Sequence, residues 1–565
     1  MSSENLNKIR HSLAHILAAS VKELFPKAKF GIGPAIDNGF YYDFEAQLKE
    51  EDLATIEKKM KELIAQNIVF EQKEISKKEA LELFKNEPYK LELINELADE
   101  AITIYQSGAF VDLCKGPHIG STKEINPKAF KLQKLAGAYW RGDEKNPMLT
   151  RVYGLAFETE KELEDYLKMM EEAEKREHKK IGKELDLFSF HPEAPGCVYW
   201  HPKGMVVWDC LEKFGQSIRR KYGYVKIKTP QIAKNSLWIT SGHWEHYKEE
   251  MFIFEVENEI YCLKPMDCPF NIQVYQSAQR SYRDLPIRYT EIGHVMRNEK
   301  SGQLNGLFRV REITQDDSHV FLREDQVETE ISNLIKMVQE YYIALGVEPK
   351  FFLSTRPNDF MGEISVWDKA ENDLKNVLGN LKINYGLKEK DGAFYGPKID
   401  VNILDALGRS WQVATIQLDF QLPGKFGCEY VDENAERKVP VMLHAAIFGS
   451  YERMIGILIE NYAGAFPFPL APVQIRVIPV SENNLDYAEK IAKELEGYRI
   501  EIDRNNDTIG KKIRAGEMEK IPYLLVVGDK EVTNGTISAR QRGRVDLGEI
   551  KLEEFINKLK EEANL

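Results

Sequence analysis

The stretch RNEKSGQLNGLFRVREITQDDSH, residues 297–319, decides how the rest of the chain is read. Two candidate strands are separated by a Gly-, Ser- and Asn-containing loop, with Arg297 and Glu299 entering, Arg309 and Arg311 leaving, and a Gln-Asp-Asp-Ser-His run at the end. The planar fork of arginine meets phosphate or carboxylate in two parallel hydrogen bonds, and a glutamate beside it accepts from a donor such as a base amino group. The pattern predicts a hairpin that holds a polyanion. A charged surface hairpin has the same composition, so the surrounding chain must discriminate.

A chain of 565 residues is too long for one core and predicts two to four domains. Hydrophobic residues at 43% and charged residues at 30% describe an ordinary soluble protein, and 77 Lys plus Arg against 90 Asp plus Glu leave a net charge of -13. That balance argues against indiscriminate coating of nucleic acid but permits local basic grooves. No run approaches the roughly eighteen apolar residues of a membrane span, and MSSENLNKIRHSLAHILAAS lacks the apolar core of a signal peptide. The expectation is a cytoplasmic protein with no membrane partner. Its six cysteines, Cys114, Cys197, Cys210, Cys262, Cys268 and Cys428, are too irregular for a disulfide framework; metal binding or burial accounts for them better.

Residues 6–25 read as an amphipathic helix with Ile9, Leu13, Ile16, Leu17, Val21 and Leu24 on one side, ending before Pro26. His11 and His15 share a face of it. Much later, SGAFVDLCKGPHIG places Asp112, Cys114 and His118 in a turn-rich segment. Two histidines plus Cys/His can bind zinc tetrahedrally, or form a wet pocket in which imidazoles and a carboxylate position water; spacing leaves both open. HSLAHILAAS together with SGAFVDLCKGPH resembles the editing domain of bacterial-type threonyl-tRNA synthetases, related to that of alanyl-tRNA synthetases. By that resemblance His11, His15, Asp112, Cys114 and His118 line a metal-free site that hydrolyses mis-charged seryl-tRNA, with Lys90 of EPYKLEL a further member. Between Glu158 and Leu185 the run ETEKELEDYLKMMEEAEKREHKKIGKEL, with pairs such as Glu164 and Lys168, predicts a solvated connecting helix.

After it, APGCVYWHPKGMVVWDCLEKFGQSIRRKYGYVKIKTPQI predicts a turn, a long amphipathic helix and a strand ending at Pro230, and resembles motif 1 of class II aminoacyl-tRNA synthetases, which forms a homodimer interface. LWITSGHWEHYKEEMF narrows the resemblance to the threonyl family. YCLKPMDCPFNIQVY sets Cys268 at the start of a helix, and with His319 and with His444 in VPVMLHAAIFGSYERMIGIL it makes a three-ligand set suited to an open zinc site. These residues lie far apart in sequence; the family resemblance is what joins them around Zn2+. Zinc with an open position can take both the amino group and the hydroxyl of threonine, which valine cannot offer. Serine differs by one methyl, worth about 1–3 kcal/mol, so a second, hydrolytic site is physically required.

The same resemblance assigns ATP, with its Mg2+, to class II motifs 2 and 3: Arg297 on the α-phosphate, Glu299 on the adenine amino group, Arg309 assisting, and Arg453 on the γ-phosphate. Asp317 would receive the ammonium group of L-threonine, and Tyr395, Lys398 and Gln412, in DGAFYGPKIDVNI and SWQVATIQLDF, fall at substrate-facing positions. From Pro472 the βαβα alternation of VQIRVIPV, NNLDYAEKIAKELEG, YRIEIDR and IPYLLVVGD resembles the anticodon-binding domain of threonyl, prolyl, histidyl and glycyl synthetases, and Arg540, Arg542 and Arg544 of TISARQRGR form a basic strip that suits either a solvated sheet edge or a surface for tRNA(Thr).

The expected architecture is an α+β multidomain chain: an α+β editing domain over residues 1–157, a linker helix over 158–182, a class II antiparallel-sheet catalytic domain over 183–470, and an α/β anticodon-binding domain over 471–565. The resemblance covers essentially the whole chain, which is expected to start at the editing domain and to lack the ubiquitin-like N-terminal domain common in bacterial members. Two positions depart from the family pattern: Asn271, where histidine is usual, and Ala445 after His444, where arginine is usual. The rival readings are a synthetase-like RNA-binding regulator without catalysis, and a metal-dependent hydrolase centred on the N-terminal tetrad.

Overall fold

A computed structural model describes residues 3–98, 101–405 and 408–562. The chain divides into two compact units, Met1–Glu172 and Ala173–Leu565.

In the first unit the helix Ser3–Leu24 buries Ile9, Leu13, Ile16, Leu17 and Val21, the stripe expected of a 3.6-residue period. It packs against the helix Asp52–Ile64 and the strand Gly39–Glu45. That strand belongs to a five-stranded antiparallel sheet with Met148–Ala156 and Phe130–Tyr139. A second sheet joins Phe70–Ser76, Ala101–Ser107 and Phe110–Leu113; its last, short strand delivers Asp112, with Cys114 just beyond.

The expected solvated linker is two helices, Glu160–Arg176 and His178–Glu184, separated at Glu177, whose side chain caps the second. The second piece corrects the expectation: His178, Ile181 and Gly182 are buried. Its charges mask an apolar face too short for a periodicity argument to detect.

The second unit is built on an eight-stranded, largely antiparallel sheet. In spatial order its strands are Val225–Lys226, Ile287–Met296, Glu312–Leu322, Val441–Ser450, Ser410–Asp419, Lys398–Leu404, Lys350–Ser354 and Tyr385–Lys388. The strand expected to run to Pro230 is only the pair Val225–Lys226; beyond it Thr229 turns inward to donate to the buried Glu291. The polyanion hairpin is also displaced from its expected place. Its strands, Ile287–Met296 and Glu312–Leu322, pair from Ile287↔Phe321 to Met296↔Glu312, so residues 297–311 are all connecting loop. The apolar alternation that makes the first strand lies upstream of Arg297, in residues whose side chains are buried on alternate positions.

Period-two alternation gives the sheet two jobs. Along Glu312–Leu322, Gln315, Asp317 and His319 face an open cleft, whereas Asp316 and Ser318 face the helix Pro202–Lys221 and bond its Arg219. Arg219 and Asp316 form a buried ion pair at 2.7 Å, and Asp316 also accepts from the amides of Ile447 and Phe448. Removing one partner strands the other charge in the core. Arg219→Met is therefore expected to destabilise the second unit by about 3–5 kcal/mol. A urea unfolding midpoint indistinguishable from wild type would rule this out.

The C-terminal module is a five-stranded sheet ordered Ile500–Ile502, Ile475–Pro479, Tyr523–Val527, Thr536–Gln541, Val545–Lys551, parallel at the first three and antiparallel thereafter. The expected arginine strip is not uniform. Arg542 donates to the carbonyls of Phe466 and Lys520 and so staples the module to the preceding chain. Arg540 lies 3.9 Å from Asp546, and Arg544 projects into solvent. Among the described residues no helix is long and apolar enough to cross a membrane.

Candidate active site

A cleft of about 520 Å³ opens on the exposed face of the central sheet, lined by Cys268, Arg297, Glu299, Arg309, Asp317, His319, Tyr395, Gln412, His444 and Arg453. Folding thus brings together ten residues from separate segments. Lys398 is not among the lining. It pairs with Asp400 at 3.0 Å, and Asp400 in turn accepts from the cleft residue Gln412, so Lys398 stands one row behind the surface expected for it.

One end of the cleft is cationic. Arg309 reaches Glu299 through Nε at 2.8 Å and Nη2 at 2.7 Å. Arg453 is fixed by two carbonyls, that of Phe308 at 3.2 Å and that of Gln412 at 2.8 Å. Burial first, and then the charges of Arg297 and Arg309, lower the pKa of its guanidinium. Three cations against one carboxylate are held apart by backbone anchors, and a polyphosphate would relieve their repulsion.

The other end collects sulfur, imidazole and carboxylate. Cys268 begins the helix Cys268–Gln276, where the exposed amides favour a thiolate, although burial followed by Asp317 and Asp419 raises its pKa well above the ordinary value. His319, His444 and Gln417 lie side by side on three adjacent strands, in the registers His319↔His444 and Gln417↔His444. The two imidazoles are 5.0 Å apart between centroids. His444 Nε2 contacts Asp419 at 3.0 Å; a carboxylate accepts, so Nε2 carries the proton and Nδ1 keeps its lone pair. His319 Nδ1 is buried with no hydrogen-bond partner. A soft donor, an imidazole oriented by a carboxylate and an orphaned ring nitrogen fit a metal ion.

Beside them, burial and then the charge of Glu291 push the Asp317 carboxyl up to about 7. Burial also raises Asp267, reinforced by Asp317, and Glu291, reinforced by Asp267, each to about 7. The buried Lys264 pairs with Asp267 at 2.5 Å. Three carboxyls against one ammonium leave room for a second cation at Asp317. Asn271 does not reach the cleft: its amide donates to Glu291 at 3.1 Å. Ala445, the other departure, lines it. Lys264, Glu291 and Gln417 escaped the sequence reading, although a lysine or glutamine inside an apolar strand, as in YCLKPM and ATIQLDF, is a usable signal.

The first unit contains a separate histidine pocket. The donor atoms of His11, His15, Cys114 and His118 lie within 4.8 Å of one another, the one such group of three or more among the described residues. His11 Nδ1 lies 3.3 Å from the Pro117 carbonyl, which can only accept. Ser12 already donates to Lys8 O, so His118 Nδ1, at 3.0 Å, must donate to its hydroxyl. Both tautomers turn unprotonated Nε2 atoms toward Cys114 Sγ, at 3.4 and 3.3 Å. Burial lowers His118 to about 2 and raises the Cys114 thiol to about 11, which keeps the thiol protonated and a poor nucleophile. Lys90 and Asp112 form a buried ion pair beside His15, bridged by Tyr42, which donates to Asp112 at 2.7 Å and accepts from Lys90 at 3.1 Å. Tyr42 and Ser12 carry no motif signal.

An antiparallel sheet bearing a cationic loop, a Cys/His/His cluster and a separate C-terminal module on a mixed sheet is the build of a class II aminoacyl-tRNA synthetase. Residues 252–462 match the tRNA synthetase class II core domain (G, H, P, S and T), residues 474–562 the anticodon binding domain, and residues 102–153 the threonyl and alanyl tRNA synthetase second additional domain. A threonine--tRNA ligase of Clostridium tetani is 50% identical over 568 residues, spanning 99% of this chain and 89% of the relative, and one of Thermotoga maritima is 50% identical over 562 residues, spanning 98% and 88%. The chain belongs to the threonine--tRNA ligase family. Among solved structures, the RNA-binding domain of a Cryptosporidium parvum threonyl-tRNA synthetase superposes with a TM-score of 0.67 at 38% identity, covering 69% of this chain and 99% of that one. A Giardia lamblia prolyl-tRNA synthetase, at 21% identity, TM-score 0.55 and coverage of 67% and 74%, shares the fold.

Proposed function

We propose that this enzyme joins L-threonine to tRNA(Thr) through a threonyl-adenylate and hydrolyses seryl-tRNA formed in error. The carrying observation is that one cleft holds both the arginine group and the Cys268, His319 and His444 cluster, in a chain matched end to end by threonine--tRNA ligases. Arg297 holds the α-phosphate of Mg2+-bound ATP, Glu299 orients the adenine amino group with Arg309 behind it, and Arg453 takes the γ-phosphate. Asp317 accepts a hydrogen bond from the amino group of threonine, whose lone pair is left for the metal, Tyr395 and Gln412 shape the wall around it, and Lys398 acts through Asp400. These residues place the carboxylate in line with the α-phosphate and stabilise charge; the step needs no protein nucleophile. Cys268, His319 and His444 would hold zinc, which when bound supplies open coordination for the amino and hydroxyl groups that distinguish threonine from valine.

In the histidine pocket, His11, His15, His118, Asp112 and Lys90 position the water and the seryl ester, with Cys114 a neutral wall. The limits read from the sequence serve as the proposed domains: 1–157 editing, 158–182 linker, 183–470 catalytic and 471–565 anticodon-binding. Exposed Ile232, Ile253, Phe254, Val256 and Ile260 on one small sheet favour a homodimer, and the family's role in translation supports a cytoplasmic location. Threonine-dependent ATP–pyrophosphate exchange is the test: exchange with threonine but not valine is expected, and none with zinc supplied would sink the proposal in favour of an inactive RNA-binding relative.

A further inference from the structure

The ATP-gripping loop, residues 297–311, is long and largely without regular pairing, yet its arginines must be held in place before ATP arrives. Well inside the loop, a side chain from outside the cleft fixes it. Leu307 N donates to His178 Nε2 at 3.1 Å, and His178 Nδ1 lies 2.8 Å from Glu460 Oε1 on the helix Tyr451–Asn461. A backbone amide can only donate, so Nε2 must present its lone pair and Nδ1 must carry the proton given to Glu460. Glu460 also faces Arg409 at 3.6 Å. The imidazole is buried and lies against the Phe308 ring at 4.2 Å, and Phe308 in turn meets Trp411 at 4.6 Å.

The loop is shaped to receive this ring. Gly306 has φ +50, and a Cβ there would fall on His178 Nε2. Immediately beyond the amide that the ring anchors, the Phe308 carbonyl accepts from Arg453, and Arg309 reaches Glu299. One imidazole therefore ties the loop, the helix that carries Arg453 and the segment just after the boundary between the two units.

We infer that His178 is a positioning residue for ATP: it pre-orders the loop that carries Arg309 and buttresses Arg453, and it touches no substrate itself. The inference rests on the adenylating function proposed above. Losing the anchor should weaken ATP capture while the pocket for threonine, at the other end of the cleft, is left intact. His178→Leu is expected to raise the KM for ATP in pyrophosphate exchange about tenfold with the KM for threonine within about twofold. Hydrogen exchange by mass spectrometry, without ATP, should show faster exchange in peptides spanning residues 297–311. Gly306→Ala pushes a methyl into the ring and should act in the same selective way. In the double variant the two effects should combine to less than their product, because the part of the Gly306→Ala effect exerted through the ring is lost with the ring, while the strain at φ +50 remains.

Wild-type exchange establishes the adenylating function separately. If wild type exchanges but His178→Leu leaves the KM for ATP and the loop protection unchanged, or raises both KM values alike, the positioning role is overturned. Should His178→Leu not fold, His178→Phe, which keeps a ring in the buried site but loses both hydrogen bonds, carries the decision: a KM rise confined to ATP supports the role, and no such rise overturns it.

Discussion

Cys268→Ala is expected to release the metal and to lower threonine-dependent exchange by on the order of 10³-fold, the scale of losing a main electrostatic group from an active site. The substitution isolates the ligand. Alanine is the strongest helix former, and the helix Cys268–Gln276 retains Pro269 at its first turn, so local structure has little reason to change. What disappears is the sulfur donor, leaving two imidazoles that cannot complete a three-ligand site. The same variant should lose preference between threonine and valine in whatever activity remains, because only the open metal position reads the hydroxyl. Metal analysis beside the exchange assay separates the possibilities: unchanged zinc content in the alanine protein refutes the ligand assignment.

Changing His11 and His15 together to alanine is expected to leave threonylation intact and to slow hydrolysis of seryl-tRNA by about 10²–10⁴-fold, the usual contribution of positioned acid–base groups. Both rings sit on the helix Ser3–Leu24, His11 backed by the Pro117 carbonyl and His15 against Asp112 at 3.6 Å, and both belong to the first unit, whereas the adenylation cleft belongs to the second. The measurable consequence is accumulation of seryl-tRNA when serine is supplied with ATP and tRNA. If the double variant clears seryl-tRNA as fast as wild type, the pocket has another purpose. Metal analysis of residues 1–157 bears on the same pocket, since one zinc per chain there contradicts a hydrolytic site built from neutral imidazoles alone.

Much of the fold is legible in the amino-acid order. The amphipathic stripe of Ser3–Leu24 and the βαβα rhythm after Pro472 follow from hydrophobic period, a local property, and both elements form as expected. The motif residues of the second unit gather around one cleft, apart from Lys398, which lies behind the cleft wall because Asp400 intervenes. Other features are hidden for identifiable reasons. His178 sits in a charged run whose composition says solvent, yet it is buried, because the decisive contact is with Leu307, far along the chain. Arg542 reads as a basic surface residue and is instead consumed by two carbonyls that no spacing rule locates. Tyr42 and Gln417 belong to sites through partners contributed by distant segments.

By itself, then, the sequence determined the elements, their order and the chemical inventory: which residues can grip phosphate, ligate metal or hold water. Those are properties of side-chain type and short-range period, and they survive reading one residue after another. Only the tertiary structure decided which of them act together. The strand registers set His319, His444 and Gln417 in one row, alternation sent Asp317 to the cleft and Asp316 to the core, and hydrogen-bond partners selected the tautomers of His118 and His178. Register, burial and tautomer depend on atoms brought close by folding the whole chain, and each is settled by a hydrogen-bond partner that lies tens to hundreds of residues away.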